Sequence, residues 1–185
     1  MKILWFLAPL LTISAAKIAY AVSTAAVAAK TGGALFTRTS AAKIRAILEE
    51  VPMAPETRLY DLGCGDGRFL LAAWRRYGVR GVGYEINPYA YLLFQIRKII
   101  SRAPVTCHRQ DFWKAHLGQA EVIFCYLFPD IMPRLATKLA RELPEGARII
   151  SCNFPLPGWP PEKVIRIEDP IFFYQKRRFL CEQTG

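Results

Sequence analysis

The sequence predicts an α/β fold, with an N-terminal hydrophobic helix followed by a mostly parallel sheet that ends in an antiparallel hairpin. From residue 40 onward, short apolar strands alternate with amphipathic helices, which is the pattern of a parallel sheet. Only Asp169 and Pro170 separate the last two predicted strands. A parallel connection needs about a dozen residues or more, so these two strands must form a hairpin. We divide the chain into a hydrophobic segment with its linker, residues 1–32, and one domain, residues 33–185.

The N-terminal segment, residues 3–29, is apolar apart from serine, threonine and the single Lys17. A stretch of about 20 apolar residues spans a bilayer, and we predict a membrane anchor. Two alternatives stay open: a cleaved secretory signal that ends at the small residues 14–16, and an interfacial helix from which Lys17 reaches water. Only Lys2 precedes the segment, so the positive-inside rule places the domain in the cytoplasm. The cations that follow the segment are Lys30, Arg38, Lys43 and Arg45.

The formal net charge of the chain is +10, which favours anionic partners. The basic residues are scattered and form no long tail, so solvated helix faces near a membrane explain them equally well. None of the five cysteines forms a Cys-x-x-Cys pair, and most lie in apolar runs. We therefore predict reduced, buried thiols and no metal site.

The first predicted elements are two strand–helix units that follow a short helix. The helix "SAAKIRAILEEV" has Ser40 or Thr39 as its N-cap, and Pro52 ends it. The strand "TRLYDL" leads through a glycine loop into the helix "GRFLLAAWRRYG", which ends at Gly78. The strand "GVGYEI" and the helix "PYAYLLFQIRKIISR" repeat this unit.

The second half of the domain contains five further strands and one helix. "VTCHRQ" is a strand, and "EVIFCYLF" is apolar throughout, as expected for a buried parallel strand. The helix "IMPRLATKLAREL" has Pro133 near its start, where proline is tolerated. After the strand "ARIISCNF", the loop "PLPGWPP" replaces a crossover helix. The strands "KVIRIE" and "IFFYQKRRFLCE" end the chain.

The most specific stretch is "LYDLGCGDGRFL", a strand that ends in Asp61, then three alternate glycines, then a helix. Loop amides and a helix N-terminus at this place bind a polar or anionic ligand. The stretch is not a Walker loop, and Arg68 occupies the third glycine position of a dinucleotide fingerprint. The spacing present is acidic-x-Gly-x-Gly-x-Gly, formed by Asp61, Gly63, Gly65 and Gly67.

This spacing resembles the first motif of the class I S-adenosylmethionine-dependent methyltransferases, which have a Rossmann-like seven-strand sheet. The resemblance implies that S-adenosyl-L-methionine is the cofactor. Glu85 ends the next strand, where an acid accepts hydrogen bonds from ribose hydroxyls; the alternative is a charge at a helix N-terminus. The resemblance further implies that Asp111 accepts from the adenine amino group and that Phe112 packs on the ring, the alternative being an N-cap and core aromatics. The full predicted cofactor set is Thr39, Asp61, Gly63, Gly65, Gly67, Glu85, Ile86, Asn87, Asp111 and Phe112.

The region after the fourth strand is where this fold binds its substrate. It lacks the Asn/Asp-Pro-Pro-Tyr/Phe tetrapeptide, which argues against amino methylation of nucleic-acid bases or glutamine. The stretches "ELPEGARII" and "FPLPGW" and the pair Phe36 and Thr39 resemble membrane-associated protein-lysine N-methyltransferases, whose mitochondrial members modify the ADP/ATP carrier and the ATP synthase c subunit. The resemblance runs from about Phe36 to the end of the chain. Arg38 departs from it, since the family often has proline there, and "CYLFP" is more aromatic than usual.

The family resemblance implies a lysine channel lined by aromatic side chains and one amide. Aromatic rings at the carboxyl edge of a sheet hold an ammonium by cation–π contact. The alternative is that Phe154 and Trp159 only cover the sheet edge in place of the missing helix. The predicted channel residues are Tyr126, Phe128, Asn153, Phe154 and Trp159.

The sequence therefore predicts a protein-lysine N-methyltransferase that uses S-adenosyl-L-methionine. We expect its substrate to be a protein with an accessible lysine, including a membrane protein, and expect lipid contact through the N-terminal segment. Nucleic acid is not an expected partner. The alternatives are a membrane-associated small-molecule or lipid methyltransferase and a non-catalytic module that binds a nucleoside or nucleic acid.

Overall fold

The computed structural model describes residues 37–177, together with Ile18, residues 20–23 and Ala25. Helices and strands alternate as the sequence predicts. In chain order they are α1 (Ala41–Glu50), β1 (Leu59–Leu62), α2 (Arg68–Tyr77), β2 (Val82–Tyr84), α3 (Pro88–Ser101), β3 (Thr106–His108), β4 (Val122–Cys125), α4 (Met132–Glu142), β5 (Arg148–Cys152), β6 (Lys163–Ile167) and β7 (Asp169–Gln175). Two short 3₁₀ helices, Phe112–Lys114 and Pro129–Ile131, precede β4 and α4.

The strands form one seven-stranded sheet in the order β3-β2-β1-β4-β5-β7-β6. The first five are parallel, and β7 pairs antiparallel with both β5 and β6, so the mostly parallel sheet and its C-terminal hairpin are confirmed. The register aligns Leu62 with Tyr84 on one side and with Cys125 on the other. The carboxyl ends of β1, β2 and β4 therefore meet at one edge, where the strand order reverses and where open α/β sheets bind ligands.

Each face of the sheet packs against its own hydrophobic cluster. The helices α1, α2 and α3 cover one face through residues such as Ile47, Phe69 and Phe94. The helix α4 covers the other face, where Leu135 and Leu139 are fully buried. No helix joins β5 to β6, as the sequence predicts, and the loop of residues 153–162 takes that place.

The helix caps explain why α1 and α3 begin where they do. The side chain of Ser40 accepts a hydrogen bond from the backbone N–H of Lys43 at 3.2 Å, which confirms Ser40 as the N-cap of α1. The carboxamide of Asn87 accepts from the backbone N–H groups of Tyr89 and Ala90 at 2.9 and 3.2 Å and caps α3.

The N-terminal segment is described only in part. Its described residues are helical, and Ser23 Oγ donates to Asn87 Oδ1 at 2.6 Å and accepts from the backbone N–H of Tyr89 at 3.0 Å. The ring of Tyr20 meets that of Tyr89 edge-on at 5.8 Å. Most of the predicted hydrophobic helix and Phe36 lie outside the described residues. Within the described part, no helix has both the length and the apolar composition needed to cross a bilayer.

Candidate functional site

The glycine loop between β1 and α2 owes its sequence to backbone conformation and packing. Gly63, Gly65 and Gly67 all have positive φ, at +81°, +56° and +73°, which side-chain-bearing residues rarely adopt. A Cβ atom at Gly67 would lie 2.0 Å from a ring carbon of Phe94, so this glycine also lets α3 approach the loop. The backbone N–H of Gly63 donates to the carbonyl of Tyr84 at 2.9 Å, which ties the loop to the end of β2.

Glu85 braces this loop from the neighbouring strand end. Its carboxylate is buried and accepts from the backbone N–H of Gly65 at 2.8 Å and from that of Asn87 at 2.7 Å. Burial raises the pKa of Glu85, although hydrogen bonds from the backbone of Asn87, Gly65 and Ile86 oppose the shift. Because Asn87 supplies the cap of α3, Glu85 is not merely a charge at that helix terminus. Each carboxylate oxygen has a further lone pair for a ligand.

Asp61 is the least satisfied polar group of the site. It is 1% exposed, and its Oδ1 atom has no hydrogen-bond partner among the described residues. Burial raises the pKa of this carboxyl well above its usual range, and the charges of Glu85 and Asp66 add to the shift. A buried, unpaired carboxylate oxygen is costly. The atom that would satisfy it is a hydrogen-bond donor, best a cationic one.

A cluster of ions holds the segment before α1 against the loop. Asp66 is buried and accepts two hydrogen bonds from the guanidinium of Arg68 at 2.9 and 3.0 Å, with Arg97 at 3.3 Å. Arg68 also donates to the backbone carbonyl of Thr39 at 3.0 Å. Burial would raise the pKa of Asp66, but the Arg68 bond and the arginine charges lower it. The sequence analysis missed this cluster, although Asp66 and Arg68 lie inside the glycine motif.

These groups line one pocket at the carboxyl edge of the sheet. The pocket runs from the segment of residues 37–39 past Asp61 and the glycine loop to Phe124 and Tyr126. It therefore joins the predicted cofactor residues at the end of β1 to a predicted channel residue at the end of β4.

A polar network extends from Tyr126. The hydroxyl of Tyr126 accepts from Nδ2 of Asn153 at 3.0 Å, and Oδ1 of Asn153 accepts from Nζ of Lys43 at 3.0 Å. Lys43 also donates to Asp169 at 2.8 Å and lies 5.2 Å from the centre of the Tyr126 ring. Asn153 has φ +70°, a left-handed conformation that asparagine tolerates better than most residues. The structure thus brings the predicted residues Tyr126 and Asn153 together.

Lys43 and Asp169 are functional candidates that the sequence analysis missed. Lys43 is 2% exposed, although its position beside the hydrophobic segment suggested a solvated cation. Burial opposes its charge, but the hydrogen bond to Asp169 and the nearby negative groups raise the pKa of Lys43. The hydrogen bond from Lys43 lowers the pKa of Asp169. This ion pair fixes the carboxamide of Asn153, because its oxygen must face Lys43 and its nitrogen must face Tyr126.

Other predicted channel residues lie elsewhere. Trp159 is 9% exposed and packs in the cluster on the α4 face, 6.4 Å from the ring of Tyr174 and 5.5 Å from Nζ of Lys176. Phe154 is half-buried against the same cluster, whereas Tyr126 packs against the cluster on the opposite face. The arrangement agrees with the edge-covering alternative. The channel role of Phe154, Phe128 and Trp159 stays a prediction.

The third strand end carries the predicted adenine residues. Asp111 Oδ1 accepts from the backbone N–H of Trp113 at 3.0 Å and caps a 3₁₀ helix, as the alternative interpretation expects. The ring of Phe112 is half-buried and lies 4.7 Å from that of Trp113. A capping carboxylate has a second oxygen to offer, so adenine recognition by Asp111 and Phe112 stays a prediction.

Residues 61–163 match the model of the ANTKMT methyltransferase domain. The chain is 40% identical to an adenine nucleotide translocase lysine N-methyltransferase of Mus musculus, over 58% of this chain and 48% of that protein. It is 34% identical to a protein-lysine N-methyltransferase of Saccharolobus islandicus, over 68% of this chain and 80% of that protein. It thus spans about half the length of the mouse relative.

A solved structure resembles the whole domain. It is an RNA methyltransferase of Salinibacter ruber in complex with S-adenosyl-L-homocysteine, with a TM-score of 0.75 and 27% identity. The match covers 80% of this chain and 98% of that one. Together with the family model, which matches more than half of the chain, this similarity confirms the resemblance to class I methyltransferases that the glycine motif indicates. The chain belongs to the ANTKMT methyltransferase domain family.

Proposed function

We propose that the protein transfers the methyl group of S-adenosyl-L-methionine to the side-chain amine of a lysine in a protein substrate. One observation carries the proposal: a buried carboxylate oxygen of Asp61 without a partner faces the glycine-loop pocket, and the same pocket reaches the hydroxyl of Tyr126. The names of the mouse and archaeal relatives support lysine as the acceptor.

The residues of the pocket fit this cofactor. The unpaired oxygen of Asp61 suits the cationic amine of an amino-acid moiety, and the loop closed by Gly65 lets a ligand approach the backbone. The free lone pairs of Glu85 suit the two hydroxyls of a ribose. When bound, the cofactor supplies a methyl group already activated by its sulfonium. The task left to the protein is to hold and orient the acceptor.

Tyr126 and Asn153 are the residues that we assign to the acceptor. Only about one lysine in a few thousand is neutral at pH 7 in water, so the site must take up the amine in a partly dehydrated state. The Tyr126 hydroxyl receives the Asn153 amide and has a lone pair left for an amine N–H. Its ring offers a cation–π surface to the incoming ammonium. The Lys43–Asp169 pair holds this arrangement rigid.

The substrate and location form a coarser part of the proposal. The relatives' names include enzymes that act on adenine nucleotide translocase and on the ATP synthase c subunit, which supports a protein substrate, and a membrane protein in particular. The apolar composition of residues 3–29 supports attachment to a membrane, and the cations after it support a domain that faces the cytoplasm.

RNA is the second candidate acceptor. The structural relative from Salinibacter ruber is an RNA methyltransferase, and a net charge of +10 suits a polyanion. Against this, the chain lacks the tetrapeptide typical of base amino methylation.

The test offers all acceptors to the full chain. Membrane proteins, soluble proteins, lipids and total RNA of the source organism are each incubated with radiolabelled S-adenosylmethionine, and labelled products are identified by mass spectrometry. Asp61→Asn, which keeps the side-chain shape, is the matched control. We expect label on protein lysines that Asp61→Asn loses. Label confined to RNA or lipid, or label that Asp61→Asn retains, would contradict the proposal.

A further inference from the structure

The helix α3 carries a stripe of apolar side chains on its outward face. Leu92, Ile96, Ile99 and Ile100 are 56%, 45%, 74% and 78% exposed. Their spacing of four, three and one residues places them along one side of the helix, while Phe94 on the opposite side is fully buried. Isolated exposed apolar residues are ordinary, but a contiguous patch marks an interaction surface. We call these four residues the α3 face.

The α3 face lies next to the end of the N-terminal hydrophobic segment. The contacts of Ser23 and Tyr20 with Tyr89 seat the described part of that segment on the first turn of α3. There Ile18 and Val22 are 63% and 64% exposed. The chain that precedes them, residues 3–17, is apolar except for its serine, threonine and final lysine. An apolar stripe on the folded domain and an apolar stretch of chain therefore adjoin each other.

The charges around the α3 face are all positive. From residue 86 to residue 110 the chain has no aspartate or glutamate, and it carries Arg97, Lys98, Arg102 and Arg109. Arg97 is 42% exposed while it pairs with Asp66. Cations beside an apolar stripe are the composition of a surface that lies in the headgroup region of an anionic bilayer.

We propose that the α3 face docks on an anionic lipid surface, as a second membrane contact beside the N-terminal segment. Two contacts hold the domain in one orientation, whereas a single tether leaves it free to rotate. A second copy of the chain is a poorer occupant, because a two-fold interface would bring the same arginines and lysines of both copies together. This inference does not depend on the methyl-transfer proposal.

The test uses the full chain with one polarity-sensitive fluorophore at a time. Four cysteines, Cys64, Cys107, Cys125 and Cys152, are free and buried, so Cys181→Ser leaves a suitable background. Ile100→Cys places the label on the α3 face. Val164→Cys is the matched control, since Val164 is an exposed apolar residue, at 42%, on the C-terminal hairpin.

The labelled proteins are mixed with phosphatidylglycerol-containing vesicles or with phosphatidylcholine vesicles, and binding is confirmed by sedimentation. We expect the label at position 100 to shift to the blue and its quenching by iodide to fall several-fold with the anionic vesicles, while the label at position 164 stays quenchable. Failure to bind the vesicles overturns the proposal, and so does bound protein whose position 100 stays quenchable. Shielding of position 100 without lipid, with a doubled mass by light scattering, assigns the face to a second copy and also overturns it.

Discussion

Asp61→Asn should separate cofactor affinity from stability, because the same buried oxygen serves one and harms the other. In the cofactor-free protein, Oδ1 of Asp61 is 1% exposed as part of its residue and has no partner among the described residues. A buried unsatisfied group costs about 1–3 kcal/mol. Removing its charge should therefore raise the free energy of unfolding of the cofactor-free protein by an amount of that order.

The same substitution should weaken cofactor binding. A hydrogen bond to a charged group contributes about 1.5–3 kcal/mol, which corresponds to a roughly 10- to 150-fold increase in Kd. Titration calorimetry with S-adenosylmethionine measures the affinity, and denaturant unfolding without cofactor measures the stability. Unchanged affinity, or a loss of stability of more than about 1 kcal/mol, would refute the assignment of Asp61 to the ligand.

The pH dependence supplies an independent check on the same residue. Burial raises the pKa of Asp61 well above the usual value of 3.8, so the folded cofactor-free protein keeps a proton that the unfolded chain has lost. Its stability must then fall as the pH rises from the unfolded-state pKa through the raised folded-state pKa. Asp61→Asn removes this contribution, and its melting temperature should decline less over that range. Parallel profiles for the two proteins would contradict the raised pKa.

Three further variants test the rest of the site. Gly67→Ala forces a side chain into a left-handed position and against Phe94, so we expect a loss of roughly 1–3 kcal/mol from backbone strain alone, measured by denaturant unfolding. Lys43→Met should lower turnover while the cofactor Kd stays unchanged, because it frees the carboxamide of Asn153; equal losses in both would place Lys43 in the cofactor site. Trp159→Ala should cost about 3–5 kcal/mol, since Trp159 is nearly buried, and the protein that still folds should keep its turnover.

The sheet and the cofactor end of the site could be predicted because their signals are local. Strand and helix alternate at short spacing, and the three glycines and Glu85 lie within 23 residues of one another. The left-handed backbone at Gly63, Gly65 and Gly67 explains why the motif has these residues. A short pattern of this kind is visible without knowledge of the packing.

The acceptor end depends on contacts between distant parts of the chain. Lys43 meets Asn153 across 110 residues and Asp169 across 126, and no local pattern pairs them. Its place after a hydrophobic segment suggests a solvated cation, yet the fold buries it. For Trp159, an aromatic in a proline-rich loop suggests the channel, but the loop folds back onto β7 and packs the ring in the core on the α4 face.

The most direct test of the central claim is transfer of a deuterated methyl group from S-adenosylmethionine to a lysine side chain. The full chain, its Asp61→Asn variant and a no-protein control are incubated with membranes of the source organism, and tryptic peptides are sequenced by mass spectrometry. We predict deuterated methyl groups on the side-chain nitrogen of particular lysines, at levels much reduced in the variant. Deuterated methyl groups on no lysine, or on the same lysines without the protein, would contradict the claim.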